Sequence, residues 1–585
     1  MKVFVKGQGE ISLTQRHYVA TGGQASVYVK DGVAYKIYTN PADTIPDAKM
    51  RALGAISDSA IIKPDKIILD EKKTTPIGYT MAAIPDNYSL CQLFTRAFRD
   101  RNHVTHDNII NLSARLRTHI SHVHAASILI VDLNELNILV SRTFDETYFI
   151  DVDSYQAPGY PATVIMPSVR DYSVKAQDFS PLSDWFSYGI LTFQMFIGVH
   201  PYKGTHPPSA AIPKDHRMVH RMERHISAFS PEVSLPGCCY PFDVIPAHFR
   251  DWLKAVLQEG KRLPPPDPKS VQIIAIAAGP PSLHAAATVT SGNIIIKEIM
   301  DLEGWSLVSY AESGGSSAAL ITRGSLMRTL VNGHTVAETS TPAPGSLARV
   351  GFTPWMNQPI TLTLLPGGLI SFKDHARKTE EHLPFTASQM AKSGERFHVK
   401  NGTSILEMEF SELPAKTIVT ASHTVGNVME RASHLYEGVA IQNMLGSIFV
   451  SLFPKSRCGY QVRIEALDGY NIIDAKFEVG VLMVVGARAG HYDRLVFRFD
   501  TEYQTFDTRV VTDISPNGLN FVTLDSGVCV CLNEEEEIEA FSARKDSKGM
   551  KVVKDEAIGG DVRLLHVGGK VGFERGGKIY QMSLK

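Results

Sequence analysis

ILIVDLNELNILV, residues Ile128–Val140, and YFIDVDSYQ, residues Tyr148–Gln156, carry the strongest pattern in this chain. Each places polar side chains beside an apolar run. In the first, Asp132 and Asn137 stand five apart, and the apolar NILV that follows reads as the start of a strand. In the second, the apolar strand residues Phe149 and Ile150 lead straight into Asp151, fourteen residues beyond Asn137. That separation suits a hairpin that returns a second carboxylate to the first loop. Asp153, two residues on, is the other candidate for the same part, and Asp151 is preferred because it directly follows the apolar pair. Read together, the two segments predict one site rather than two unrelated acidic turns.

Outward from these segments the first half alternates strand-like and helix-like stretches. Strands are expected around Ile11–Lys30 and Val33–Tyr38. YVATGGQASVYVKDGVAYKIY (Tyr18–Tyr38) reads as strand, small-residue turn, strand, turn, strand. Gly22 and Gly23 let backbone approach a phosphate without a side-chain clash. Val27 is placed to pack on an adenine face, and Lys36 lies on the third strand. Asp107–Ala126 sets Ile109, Ile110, Leu112, Leu116, Ile120 and Val123 near helical spacing. Trp185–Ile197 is a dense apolar stretch of helix length, and Ala247–Leu257 is a third helix. Trp185 and Trp252 read as core aromatics. His119, His122 and His124 share the first of these helices; the first two are i, i+3, but no third metal ligand is evident from the sequence.

The segment RLPPPDPKSVQIIAIAAGPPS (Arg262–Ser282) is bracketed by prolines and reads as a stiff linker. Beyond it the pattern is almost wholly strands and turns. LNFVTLDSGVCVCLNEEEEIEAFSA and VRLLHVGGKVGFERGGKIYQMSL share one layout of strand, Gly-containing turn, strand, polar turn, strand. Such clusters recur roughly every 40–48 residues, the range of four-stranded propeller blades, which predicts six or seven blades. A β-sandwich pair is the alternative. Glu534–Glu537 is expected to be a solvated hairpin tip. The division is therefore 10–265 as a first domain, 266–284 as linker and 285–585 as an all-β domain.

At 585 residues the chain has room for roughly two to four domains. A composition 44% hydrophobic and 21% charged is ordinary for a soluble protein. The net charge of −2 gives no electrostatic case for nucleic acid or an anionic membrane. Six cysteines without zinc-ligand spacing point to reduced thiols. MKVFVKGQGE lacks the apolar core of a signal peptide, and no apolar run reaches bilayer length, so a cytoplasmic location is expected.

Three motifs occur together: GGQASVY, DLNELNILV and IDVDSYQ. In this combination the chain resembles the bacterial and phage protein-kinase-like family sometimes fused to helix-hairpin-helix modules, over about residues 10–265. The resemblance implies an α+β bilobal kinase fold and Ser/Thr phosphotransfer from Mg-ATP to a protein substrate. It implies nucleotide contacts from Gly22, Gly23, Gln24, Val27, Lys36 and Met81. Asp132 is then the catalytic base, assisted by Lys36 and Asn134, and Asn137, Asp151 and Asp153 are the candidate Mg²⁺ ligands. In LSDWFSYGILTFQMFIGVHPYKG, Asp184 is expected to hydrogen-bond the backbone of the catalytic loop. Members of the family often sit beside a metal-dependent protein phosphatase and a von Willebrand A-type protein, which makes those possible partners.

The chain departs from the family pattern at several positions. Ala20 and Ala25 replace the outer glycines of the loop, and no Glu lies between Lys36 and Glu71, which leaves Asp47 as the helical substitute. Ile130-Val131 replaces His-Arg before the base, and Asn134 replaces the lysine after it. A pseudokinase-like ATP-binding scaffold is the alternative function, and a kinase acting on a small molecule is a third.

Overall fold

The computed structural model describes residues 1–84, 86–162, 164–175, 178–269, 290–291, 294–555 and 558–584. Up to 269 the chain is mixed α+β; from 290 onward its sheets are antiparallel, relieved by one helical turn at Glu465–Leu467. Most of the expected linker, 270–284, lies outside the described residues.

The first region opens with a seven-stranded sheet. Its strands are β1 (Lys2–Val5), β2 (Gly9–Ser12), β3 (Tyr18–Thr21), β4 (Ala25–Lys30), β5 (Val33–Tyr38), β6 (Ile67–Leu69) and β7 (Pro76–Ala82), in the order β2-β1-β6-β7-β5-β4-β3. A short helix, α1 (Asp47–Leu53), interrupts them. A three-stranded sheet of β8 (Asn87–Ser89), β9 (Ile138–Ser141) and β10 (Thr147–Phe149) follows. The helices are α2 (Arg96–Arg101), α3 (His106–Ala125), α4 (Pro181–Ile197), α5 (Lys214–Glu223) and α6 (Ala247–Leu257).

The predicted helices appear where the apolar spacing placed them, with boundaries set by local chemistry. Thr105 caps α3 through the Asn108 amide, and α4 starts at Ser180 with Pro181 in its first turn. Gly198, at φ +91°, ends α4 in a conformation that glycine adopts without penalty. Almost every residue of α4 is buried, so it is the spine of the helical core, with α3 and α6 packed on it. The helices meet closely at Gly189, where a Cβ would be in van der Waals contact with the Trp252 ring at 3.4 Å. Trp185 and Trp252 are core residues, as expected. The helices α1, α2 and α5 were not legible in the sequence; α1 and α2 are shorter than two full turns and carry no repeated apolar stripe.

Strands β5 and β7 pair closely, with Lys36 opposite Tyr79. A Cβ on Gly78 would meet the Lys36 carbonyl oxygen at 2.0 Å. Gly78→Ala must therefore push the two strands apart, and it is expected to cost about 1–3 kcal/mol. Chemical denaturation checks this; an unchanged midpoint would contradict the pairing that carries Lys36.

Beyond 290, six four-stranded sheets follow in chain order within 306–340, 347–386, 389–427, 433–463, 471–511 and 521–553. A last sheet joins the strands within 563–584 to Ile294–Asp301 and Thr290–Ser291, so the end of the chain pairs with the start of this region. The two quoted clusters each form the three strands expected of them.

The region after 290 packs against the helical core. Ile473, Val485, Ala487, Tyr492 and Ile514 belong to the same apolar cluster as the helical core. Arg101 meets Asp474 at 2.6 Å and Lys203 meets Asp513 at 2.6 Å. The start of the proline-rich segment is bound down: Arg262 pairs with Asp171, and Trp252 and Arg117 donate to the carbonyls of Leu263 and Pro265. Glu534–Glu537 is not a solvated tip either. Glu536 accepts the Gly237 amide at 2.6 Å, and Glu534 accepts that of Ser515 at 3.0 Å. Prolines and acidic runs mark poor regular structure, but they do not say whether the segment is docked.

Candidate functional site

The two acidic segments come together as the hairpin spacing required. Strands β9 and β10 pair from Ile138–Phe149 to Val140–Thr147, and just before them the Ile150 amide donates to the Asn137 carbonyl at 2.9 Å. Further out, Leu129 and Gln156 exchange both backbone hydrogen bonds, at 3.0 and 2.9 Å. The loop bearing Asp132 and Asn137 is thus laced on both sides to the segment bearing Asp151 and Asp153.

Asp184, fully buried at the start of α4, accepts the amides of Ile130 and Val131 at 2.9 Å each and the His124 Nε2–H at 2.9 Å. The grip explains a local strain. Val131 sits at φ +65°, where a β-branched residue is a true outlier, and two charge-assisted hydrogen bonds hold it there. The next residue, Asp132, is half-buried. Its Oδ1 accepts the Met166 amide at 2.8 Å, and its Oδ2 lies 3.5 Å from Asn137 Nδ2. Burial raises the Asp132 pKa above the ordinary carboxylate value, with the charge of Asp151 adding to the effect.

Lys36 reaches this place from β5. Its Nζ lies 2.6 Å from Asp151 Oδ1 and 2.8 and 2.9 Å from the two oxygens of Asp153. Burial opposes the ammonium charge, but Asp153 and Asp151 outweigh it and the lysine pKa ends above its usual value. The two aspartates differ sharply. Asp153 is buried and also accepts the hydroxyls of Tyr38 and Tyr79, the latter at 2.6 Å. Burial disfavours its charge, yet Lys36 and the tyrosines more than compensate and hold it below the ordinary range. Asp151, at φ +60°, keeps its side chain 44% exposed.

These positions correct three sequence expectations. The carboxylate that anchors Lys36 is Asp153, not Asp47, which lies exposed on α1 and pairs with Arg51 one turn along. Asp153 is enclosed by three donors, so it is an anchor and not a group facing an ion. Asn134 is only 1% exposed; its amide oxygen accepts the amides of Leu136 and Asn137 at 2.9 and 3.2 Å, which commits it to shaping the loop rather than to donating outward.

The remaining positions lie on the sheet. Gly22 and Gly23 form an exposed turn closed by Gly22 N–H to Ala25 O at 2.9 Å. A Cβ on Gly22 meets nothing nearer than 3.9 Å, and one on Gly23 meets nothing within 4 Å. Gln24 is exposed, with its carbonyl accepting the Thr39 amide at 2.8 Å. Val27 is half-buried and pairs across to Lys36; Met81 is half-buried opposite Ala34.

Sequence reasoning missed Tyr38, Tyr79 and Tyr492. The first two had a signal: Tyr38 is two residues from Lys36 and so on the same strand face. Tyr79 is its cross-strand partner. Tyr492 had none. Its hydroxyl donates to Glu135 Oε1 at 3.0 Å from far along the chain, which satisfies a buried carboxyl inside the segment that bears Asp132 and Asn137. Gly490 beside it is at φ +81°, and a Cβ there would fall within about 3 Å of Met166 and Ser168. Likewise Asn443 meets the Tyr18 hydroxyl at 2.9 Å, at the base of the Gly22–Gly23 hairpin. The all-β region therefore touches both the loop that orients Asp132 and the small-residue turn.

No protein-family model and no curated protein matches the chain. Among the described residues no helix is long and apolar enough to cross a membrane.

Proposed function

We propose that the chain is an ATP-dependent Ser/Thr protein kinase of the bacterial and phage protein-kinase-like type, with a bilobal kinase fold followed by a seven-bladed β-propeller. The observation that carries this reading is a buried lysine from a sheet, joined to Asp151 at 2.6 Å, beside a loop that presents Asp132 and Asn137. That is the set of groups phosphoryl transfer calls for: a cation for phosphate, two oxygen ligands for Mg²⁺ and a base for the attacking hydroxyl. The propeller reading is supported by the succession of antiparallel four-stranded sheets and by the pairing of the chain's last strand with Ile294–Asp301.

The residues fit Mg-ATP, which when bound supplies the phosphoryl group. The Gly22–Gly23 turn has ordinary backbone angles and room for side chains, so the fold itself does not demand glycine there; close approach of a phosphate does. Asp153 holds Lys36 in place. Asp151, the more exposed partner, is free to exchange its contact with the ammonium for one with a cation. Asn137 offers the neighbouring amide oxygen. Asp132 has one oxygen fixed by Met166, which leaves the other to orient a hydroxyl and take its proton.

Titration calorimetry with Mg-ATP on the full-length protein tests the assignment. Asp151→Asn is expected to remove the Mg²⁺-dependent part of nucleotide binding while leaving the fold intact. Binding indistinguishable from wild type would remove Asp151 from the site. A nucleotide-binding scaffold without turnover is the second reading, and the burial of Asn134 favours it, because its amide is turned onto the loop backbone instead of toward a γ-phosphate.

A further inference from the structure

Outside the Lys36 site, the loop after α1 carries Asp58 to the face of α3 that bears His119 and His122. Asp58 Oδ2 lies 2.7 Å from His119 Nδ1 and 2.6 Å from His122 Nδ1, and the three ligand atoms all fall within 4.8 Å of one another. The other oxygen of Asp58 accepts the Ala60 amide at 2.9 Å, which turns Oδ2 toward the rings. On its far side, His119 Nε2 lies 2.9 Å from Glu146 Oε1, and that oxygen also accepts the Thr147 amide at 3.0 Å.

The Glu146 contact is the informative one. Histidines that bind metals commonly donate their second ring N–H to a carboxylate, which fixes the tautomer and strengthens the ligand. With its proton on Nε2, His119 turns a lone pair on Nδ1 toward the lone pairs of Asp58 Oδ2. Two lone pairs 2.7 Å apart repel unless a second ring proton or a metal ion lies between them, and a metal ion can also take the His122 nitrogen that converges on the same oxygen from one helical turn away.

We propose that Asp58, His119 and His122 bind a divalent ion of the zinc class, with Glu146 as the carboxylate that orients His119. Two histidines and one carboxylate are a zinc donor set, with bonds of about 2.0–2.2 Å and a fourth position left for water. A tetrahedral site of that size sets its ligand atoms roughly 3.3 Å apart. His122, half-exposed, has the freedom to open by that amount, and its side of the site faces solvent. The ion would staple α3 to the loop 58–62. That loop exchanges backbone hydrogen bonds with β10, Ile62 N–H to Phe149 O and Phe149 N–H to Ala60 O at 2.9 Å each, and β10 leads into Asp151. The ion would tie two segments of the fold together, and its existence does not depend on phosphotransfer.

The test uses full-length protein stripped with a chelator and dialysed against Zn²⁺, with metal content read by mass spectrometry and affinity by competition with a chromogenic chelator. The expected result is one bound zinc that raises the thermal midpoint. His122→Ala, at a half-exposed position, should lose that ion. Glu146→Gln should weaken binding about 10–100-fold. All six cysteines are free thiols and compete for zinc, so Co²⁺ is substituted and its spectrum recorded. The proposed ligands give no thiolate-to-cobalt charge-transfer band. Failure to take up stoichiometric zinc, uptake unchanged in His122→Ala, or a thiolate band on the bound cobalt would each overturn the proposal.

Discussion

Asp132→Asn is expected to lower phosphate transfer by about 10²–10⁴, the usual scale for loss of a general base, while leaving Mg-ATP affinity nearly unchanged. The substitution keeps the shape of the side chain and the oxygen that accepts the Met166 amide, so the loop should hold its form. What it removes is the capacity to take a proton. Because burial raises the pKa of Asp132, wild-type turnover should climb with pH through a value above the ordinary carboxylate range, and the variant should lack that limb. Single-turnover rates measured across pH check both points. A variant within a few-fold of wild type, with the same profile, would remove Asp132 from the role of base.

Asp153→Leu is expected to destabilise the fold by about 3–5 kcal/mol, the cost of removing one member of a buried ion pair. The loss has three parts: Lys36 keeps only the more exposed Asp151, and the hydroxyls of Tyr38 and Tyr79 lose their acceptor. Asp151→Asn, by contrast, should change stability by under about 1 kcal/mol, since that carboxylate is half in solvent. The pH dependence has a definite sign. A carboxylate held below its unfolded pKa adds stability above that value, and the addition is lost as pH falls through the depressed folded pKa. Urea unfolding of the two variants at neutral and acidic pH measures this. Equal, small effects from both substitutions would mean that Asp153 does not anchor Lys36.

The grouping of these residues was mostly legible because it is local. The spacing of Asp132, Asn137 and Asp151 is set by one hairpin, and the Gly22–Gly23 turn and Lys36 by another. The identity of the lysine's anchor was not legible. A helix-borne acid was the expected source, with Asp47 as the substitute for the missing Glu, yet α1 is short and turns Asp47 to solvent. Asp153 replaces it from the turn of Val152–Ser154, two residues past Asp151. Asn134 misled for a similar reason: an amide in a tight loop satisfies backbone before it serves a ligand. The strand clusters after 290 were visible through their turns. The docking of that region on the helical core was not. Contacts such as Tyr492 to Glu135 join residues with no sequence relation, and period and propensity report only neighbours along the chain.

The proposed transfer of the terminal phosphate of ATP to a protein hydroxyl can be measured directly. The direct measurement is incubation of the full-length protein with γ-labelled ATP and Mg²⁺, with itself and model acidic and basic proteins as acceptors, followed by phosphoamino-acid analysis. The predicted result is label on serine or threonine, dependent on Mg²⁺ and lost with Asp132→Asn. A folded protein that binds Mg-ATP yet labels no acceptor, itself included, would rule out protein phosphotransfer, and labelling that survives Asp132→Asn would remove Asp132 from the role of base.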